Sequence, residues 1–245
     1  MRVYVGFDDT DVLGADRGTG KFARWFEKKL PQGVQMYGVV RQQLPVLEGI
    51  PYTSHNSSAC VILDAVDPSQ VQQLVDLGAD HIREHFMDGS DPGLCVVAGS
   101  GSSTDTLVAF GRLASTRVVT QKEAIKAVNG FHLSGHGGTN DGIIGACAGV
   151  GLTISGWSGR FIELKGLREV PLMVRVSDLE ARGIRVLSVD RNALVAGPDD
   201  LVDTRGWLRP RLWAGGAVLP VENTGHGAWR SICGKGEGAA QDGKA

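Results

Sequence analysis

Apolar residues follow two rhythms along this chain, and the change between them sets its organisation. The run Val3-Tyr4-Val5-Gly6-Phe7 has the length and composition of a buried strand over residues 2–7. From Gly20 to Leu30 the apolar positions are Phe22, Ala23, Trp25, Phe26 and Leu30, a helical spacing that Pro31 ends. Val34 to Arg41 predicts a second strand. Leu44 to Ser58 is polar and turn-rich and reads as a loop, and Ala59 to Leu63 as a third strand. Ser69 to Met87 carries Val71, Leu74, Val75, Leu77 and Ile82 on an amphipathic helix. Gly93 to Ala98 is strand-like, and Ser103 or Thr104 can cap a helix running to Leu113. Thr120 and Glu123 form a capping-box pattern ahead of Ala124-Ile125-Lys126-Ala127-Val128. Glycine-rich residues 135–142 then lead into small apolar residues, Ile143 to Leu152, which predict a buried helix.

After about residue 155 the pattern shortens. Phe161 to Leu164, Leu172 to Val176, Ile184 to Val189 and Asn192 to Val195 predict short strands, with Trp207, Trp213 and Trp229 among Gly and Pro further on. From Gly234 the composition is Gly, Ala and charge, which predicts a disordered tail. The expectation is an α/β domain over residues 1–160, a mixed sheet with flanking helices. A smaller strand-rich or α+β unit follows over 161–232, then a disordered tail over 233–245. No internal repeat is evident.

Composition narrows the function classes. A hydrophobic share of 42% in 245 residues supports a sizeable core. The net charge of −2, without a Lys/Arg block, argues against broad charge-driven nucleic-acid binding, though not against a local basic groove. None of Cys60, Cys95, Cys147 and Cys233 forms a Cys-x-x-Cys pair, so a zinc ribbon is not supported, and the first three read as buried thiols. A strand-like opening running into charges is not a signal peptide. No apolar run approaches the ~20 residues of a membrane span. A cytoplasmic protein is expected.

Candidate chemistry begins at the end of the first strand. Asp8, Asp9 and Asp11 put three carboxylates within four residues, around Thr10. Their repulsion calls for a cation or for solvent, and oxygen-only ligands suit magnesium, which commonly arrives with phosphates. Next comes the turn Arg17-Gly18-Thr19-Gly20-Lys21. It fails the Walker pattern, with Ala15 at the first Gly position and Phe22 at the hydroxyl position. Gly18, Thr19 and Gly20 nevertheless precede a helix whose free amides suit phosphate, and Lys21 could add a point charge. His55-Asn56-Ser57-Ser58 could line a polar pocket. In the glycine loop, Gly137 and Gly138 could wrap an anion, while Asn140 and Asp141 could contact metal, ribose or water. Each feature alone is equally readable as a solvated turn. Gly99-Ser100-Gly101 lacks the third glycine of a dinucleotide fingerprint, so no nicotinamide or flavin is expected.

Taken in order, the opening residues 1–11, Ile50-Pro51-Tyr52-Thr53 with Asn56 and Ala59, Glu84-His85 with Asp91-Pro92-Gly93, and Gly142-Ile143-Ile144-Gly145-Ala146 with Ala148, Val150 and Gly151 resemble the catalytic region of the tRNA-isoleucine agmatidine synthetase (TiaS) family. The resemblance covers roughly residues 1–155. It implies ATP and magnesium as cofactors and phosphate activation of a cytidine before an amine displaces the phosphate. It also implies that Asp8, Asp9 and Asp11 hold metal and orient phosphates. Two departures stand out. Thr19 or Lys21 takes the place of a family threonine implicated in phosphate transfer, and His55, Asn56, Ser57 and Ser58 replace an Arg-Gly-Asn-Gly-like loop. The family's OB-fold and zinc ribbon are not expected in a chain of this length, so tRNA is a partner that the charge does not support.

The functional expectation is ATP- and magnesium-dependent phosphotransfer or phosphate-activated ligation on a small-molecule or RNA acceptor. Asp9, Asp11 and Lys21 are the expected catalytic residues. Thr10, Gly18, Thr19, Gly20, His55, Asn56, Gly137, Gly138, Asn140 and Asp141 would line the nucleotide and substrate pocket. The oligomeric state, a homo-oligomer included, is left open. Two alternatives stand beside this expectation. One is a non-catalytic ATP-binding sensor or subunit. The other is a magnesium-dependent phosphatase in which Asp9-x-Asp11 supplies the nucleophile, although Leu13 stands where that class has Thr or Ser.

Overall fold

The computed structural model describes residues 1–50, 55–65, 67–192 and 194–232. The chain divides into two compact units, one of Met1–Gly159 and one beginning at Arg160. The first unit holds β1 (Arg2–Asp8), β2 (Gln35–Gln43), β3 (Ser57–Asp64), β4 (Gly93–Ala98) and β5 (His132–Gly135) in the order β5-β4-β1-β3-β2. Every neighbouring pair in that order is antiparallel.

Alternation along β1 explains the layering. Successive residues of a strand point to opposite faces. Phe7 packs edge-on against Phe22 and Phe26, at 5.1 and 5.4 Å between ring centroids, and against His81 at 6.0 Å. These residues belong to α1 (Thr19–Trp25), the tight turn Phe26–Lys29 and α2 (Gln70–His85), so these elements cover one face. Gly6, the preceding residue, points the other way: a Cβ there would lie 2.6 Å from the Ala146 carbonyl oxygen. Ala146 sits on α5 (Gly142–Ile154), and α3 (Asp105–Ala114) and α4 (Gln121–Val128) pack around that helix. Phe7, Phe22 and Phe26 are fully buried, each contributing about 1.5–3 kcal/mol from burial. Thr120 and Glu123 form the expected capping box at the start of α4.

The second unit holds β6 (Arg160–Leu164), β7 (Met173–Arg175), α6 (Val176–Ala181), β8 (Ile184–Ser188), β9 (Leu201–Asp203), β10 (Arg211–Trp213), β11 (Gly216–Gly225) and β12 (Ala228–Ser231). Their order is β6-β10-β11-β12-β9-β7, with β8 pairing with β11. The β8–β11 and β9–β12 pairings are parallel and the others antiparallel. The chain thus has the α/β class expected, with strands paired in both senses, flanking helices and additional strands.

Several local expectations are corrected. Leu194 and Val195 lie outside any strand and are exposed, because nothing apolar covers them. Val176 starts a helix rather than ending a strand. β5 and β9–β12 went unpredicted. In β11, Pro220 would ordinarily argue against a strand, yet it sits in the parallel ladder opposite Leu187, and its carbonyl accepts a bond from the Ile232 amide at 3.2 Å. The disordered tail expected over residues 233–245 lies outside the described residues, as do Pro51, Tyr52 and Thr53 of the resemblance motif. Among the described residues, no helix is long and apolar enough to cross a membrane.

Candidate active site

Register gathers the sequence motifs of the first unit at one end of its sheet. Asp8 pairs with Gly93, which pairs with Gly135. One step back, Phe7 pairs with Ala59, which pairs with Arg41. The Asp8–Asp11 turn, the His55–Ser58 segment, Asp91–Gly93 and the 135–142 loop therefore all open at the same edge. Helix α5 lies across these strands on its small residues. Cβ atoms added to Gly142, Gly145 and Gly149 would fall 2.7 Å from the Gly93 amide, 1.7 Å from Asp8 Oδ2 and 2.3 Å from Ser58 Oγ. One turn further on, Thr153 Oγ1 accepts from Gln42 Nε2 at 3.0 Å. The spacing 142, 145, 149, 153 is one helical face, and it tracks β4, β1, β3 and β2 in turn.

The glycine loop wraps a carboxylate of the protein itself. Asp91 accepts from the backbone amides of Thr139, Asn140 and Asp141 at 3.0, 2.6 and 3.1 Å, and from the Thr139 hydroxyl. These are the donors ahead of α5, the place where the sequence suggested an exogenous anion. Asp91 entered the sequence reading only through the family resemblance. Its partners lie 48 to 50 residues away, so nothing local marked it. Asp91→Ala is expected to destabilise the first unit by about 2 kcal/mol, since a helix N-terminus loses its acceptor. Amide exchange at residues 139–141 should accelerate more than elsewhere. Uniform protection in the variant would disprove the latch.

On the other flank Asp11 serves α1. Its Oδ1 accepts from the Thr19 amide at 3.0 Å and the Thr19 hydroxyl at 3.1 Å, and Thr10 Oγ1 donates to Thr19 Oγ1 at 3.2 Å. Gly18 is the N-cap, and its carbonyl accepts from the amides of Lys21 and Phe22. Gly20 lies within the first turn of α1. The Lys21 ammonium stands over the Trp25 ring, 5.3 Å from its centroid. Asn56 closes its own loop: Nδ2 donates to the Pro45 carbonyl and its carbonyl accepts from Leu44 N. His55 is exposed at the same loop. The structure thus groups Asp8, Asp9 and Asp11, with Asp91 and Asp141 acting on Asp9, while Lys21 and Asn56 have partners of their own.

The acidic group is strained electrostatically. Burial, then the Asp9 and Asp11 charges, push the Asp8 carboxyl up to about 8 against a bond from the Asp9 amide. Burial and the charges of Asp91, Asp11 and Asp141 push Asp9 up to about 6, partly offset by the Asp91 amide. Asp9 also takes a left-handed backbone, φ 49°, a conformation aspartate tolerates better than most residues. Further along α5, the paired residues Ser58 and Gln42 each bury an oxygen, Oγ and Oε1, without a hydrogen-bond partner. Among the described residues, no group of three or more His, Cys, Asp or Glu converges as a ready metal cage. The donor type nevertheless fits a hard cation, whose charge would offset the burial and the repulsion that hold Asp8 and Asp9 above the usual carboxylate range.

No family model matches the chain, and no curated protein does. Solved structures do. A tRNA fluorescent labeling enzyme is 27% identical with a TM-score of 0.50, covering 62% of this chain and 36% of its own. Apo TiaS, a tRNA agmatidine synthetase, is 26% identical at a TM-score of 0.50, covering 62% and 35%. TiaS in complex with tRNA and ATP is 26% identical at 0.52, covering 62% and 36%. The chain spans little more than a third of the length of these structures. Over the share they cover, the chain has a TiaS catalytic-domain-like fold, in keeping with the resemblance its ordered motifs carry.

Proposed function

We propose that the first unit performs ATP- and magnesium-dependent phosphotransfer or phosphate-activated ligation on a small-molecule or RNA acceptor. The observation that carries this reading is the set of carboxylates at the sheet end, in which Asp9 and Asp11 repel Asp8, and Asp91, Asp11 and Asp141 repel Asp9. The likeness to TiaS solved with tRNA and ATP supports it. Asp8, Asp9 and Asp11 would hold magnesium, which would neutralise phosphate charge there. Asp91 is a positioning residue that fixes the 139–141 amides. Asp11 fixes the start of α1 through Thr19, presenting Thr10, Gly18, Gly20 and Lys21 to a phosphate. His55, Asn56, Gly137, Gly138 and Asn140 would face the rest of the nucleotide and the acceptor. Catalysis of this kind is positioning and charge compensation. A cytoplasmic setting and tRNA as one acceptor belong to the same proposal.

A second reading, an ATP-binding subunit without turnover, is favoured by Lys21 already lying on Trp25. Isothermal titration with ATP and a non-hydrolysable analogue, with and without magnesium, tests both. Magnesium-dependent binding weakened at least about tenfold in Asp9→Asn is expected, since one of three proposed ligands is lost. Phosphate transfer would then separate enzyme from sensor. No binding at millimolar ATP would overturn both readings. Magnesium-dependent hydrolysis of a phosphomonoester without ATP would favour the phosphatase instead.

A further inference from the structure

The two units differ in charge. Residues 1–159 hold twelve Lys or Arg against sixteen Asp or Glu, whereas residues 160–232 hold eleven against nine, and ten of those eleven are arginine. Arginine offers what lysine does not, a planar cation that stacks on aromatic rings and forks onto phosphate.

Register aligns several of these arginines. Arg160 on β6 is directly opposite Arg211 on β10, Arg211 is opposite Val218 on β11, and Val218 is opposite Arg185 on β8. Directly paired residues share a face, so three arginines form a row across four strands. Arg160 and Arg185 are three strands apart, about 14 Å at the usual spacing. Like charges directly opposite destabilise a strand pair. Among the described residues neither Arg160 nor Arg211 forms a salt bridge, and Arg211 Nε is buried without a partner.

A second line runs along the chain. Trp207, Arg209, Arg211 and Trp213 are half-buried, and Leu208, Pro210 and Leu212 between them are buried. The Arg209 guanidinium lies 3.9 Å from the Trp207 ring centroid, and that of Arg211 lies 5.5 Å from Trp213. Arg185 Nη2 donates to the Trp213 carbonyl at 3.2 Å, tying the row to the ladder. A cavity of about 180 Å³ opens beside Trp207 and Arg209, with Arg168 and Thr204 in its wall. That is below the roughly 300–1,000 Å³ of a drug-sized ligand site.

We infer that this face of the second unit binds single-stranded nucleic acid, with bases against Trp207 and Trp213 and phosphates along Arg160, Arg211 and Arg185. Indole faces need unstacked bases, which a duplex does not offer, and a row spanning about 14 Å suits successive phosphates rather than one. The inference deepens the RNA-acceptor branch of the proposed function by saying where a strand would lie, and it uses no residue of the acidic turn.

Fluorescence anisotropy of the full chain tests it, without ATP or magnesium, so failure of the phosphotransfer reading leaves the result interpretable. The probes are a labelled 12-nucleotide RNA strand, the matching DNA strand and the DNA duplex, each over a salt series. Both single strands should bind more tightly than the duplex, and the RNA and DNA arms show whether the 2′-hydroxyl contributes. The double variant Arg160→Gln, Arg185→Gln should bind at least about tenfold more weakly, with a salt slope shallower by about 1.4, at about 0.7 per lost phosphate contact. Trp213→Leu should lose about fivefold or more and Trp213→Phe should keep most of the affinity, since stacking needs a ring. Circular dichroism checks that each variant is folded. Any of three results would overturn the inference: no binding at 0.1 M salt, variants that bind like the parent, or the duplex bound as tightly as the single strands.

Discussion

Gly93→Ala is expected to cost the first unit about 3 kcal/mol or more, enough to shift its urea midpoint by a large fraction of the whole transition. The added Cβ would lie 2.1 Å from the Gly142 carbonyl carbon and oxygen and 2.4 Å from the Ile143 amide nitrogen, all backbone atoms that no rotamer can move aside. Gly93 cannot retreat, because it pairs with Asp8 on one side and Gly135 on the other. Nor can α5 rise, because Asp91 holds the amides just ahead of it. Gly137→Ala is the control in the same neighbourhood, since its Cβ would meet Pro92 and Ser90 at an ordinary 3.4 Å. That variant should stay within about 1 kcal/mol of the parent. Equal midpoints for Gly93→Ala and the parent would show that α5 is not seated on the strand backbone.

Asp8→Asn should stabilise the protein, and increasingly so as the pH rises. Burial and the neighbouring Asp9 raise the Asp8 carboxyl to about 8, whereas an unfolded aspartate titrates near 3.9. Between those values the folded state keeps a proton that the unfolded chain has released. Stability therefore falls as the pH rises through that interval and levels off above about 8. One retained proton is worth at most about 1.4 kcal/mol per pH unit. Asp9, raised to about 6, adds a smaller fall that ends sooner. The amide that replaces the carboxyl carries no charge, so the variant should lose the part of the slope due to Asp8. Thermal unfolding of both proteins from pH 4 to pH 8 measures this, and parallel profiles would refute the assignment. Added magnesium at pH 8 should recover part of the loss in the parent and little in the variant.

What the sequence revealed was local, and what it hid was long-range. The opening strand, the capping box at Thr120 and Glu123, and the buried helix after the glycine loop were all legible. Each is marked by residues within one or two turns of each other. The acidic turn was legible for the same reason. The partner of the glycine loop was not: three amides near residue 140 point to a carboxylate at 91, a pairing no periodicity encodes. Lys21 is marked by the glycine turn it follows, whereas the contact of its ammonium with the Trp25 ring, one helical turn on, shows only in the structure. The ladder of the second unit was overlooked because β9 and β10 are three residues long and β11 contains Pro220. Short strands of this kind are defined by neighbours rather than by their own composition.

The strand order of the first unit also sets a schedule for folding. β1 is synthesised before either of its neighbours, for Val3 pairs with Leu63 on one side and Ala98 on the other. At roughly 5–20 residues per second, translation leaves β1 waiting some seconds for each neighbour. Such non-local pairing slows folding, because loops must close before contacts repay the cost. During that interval the apolar edges of Val3, Val5 and Phe7 are open to other nascent chains. Yield on overexpression should therefore depend on chaperone supply and translation rate more strongly than the stability of the finished fold would suggest.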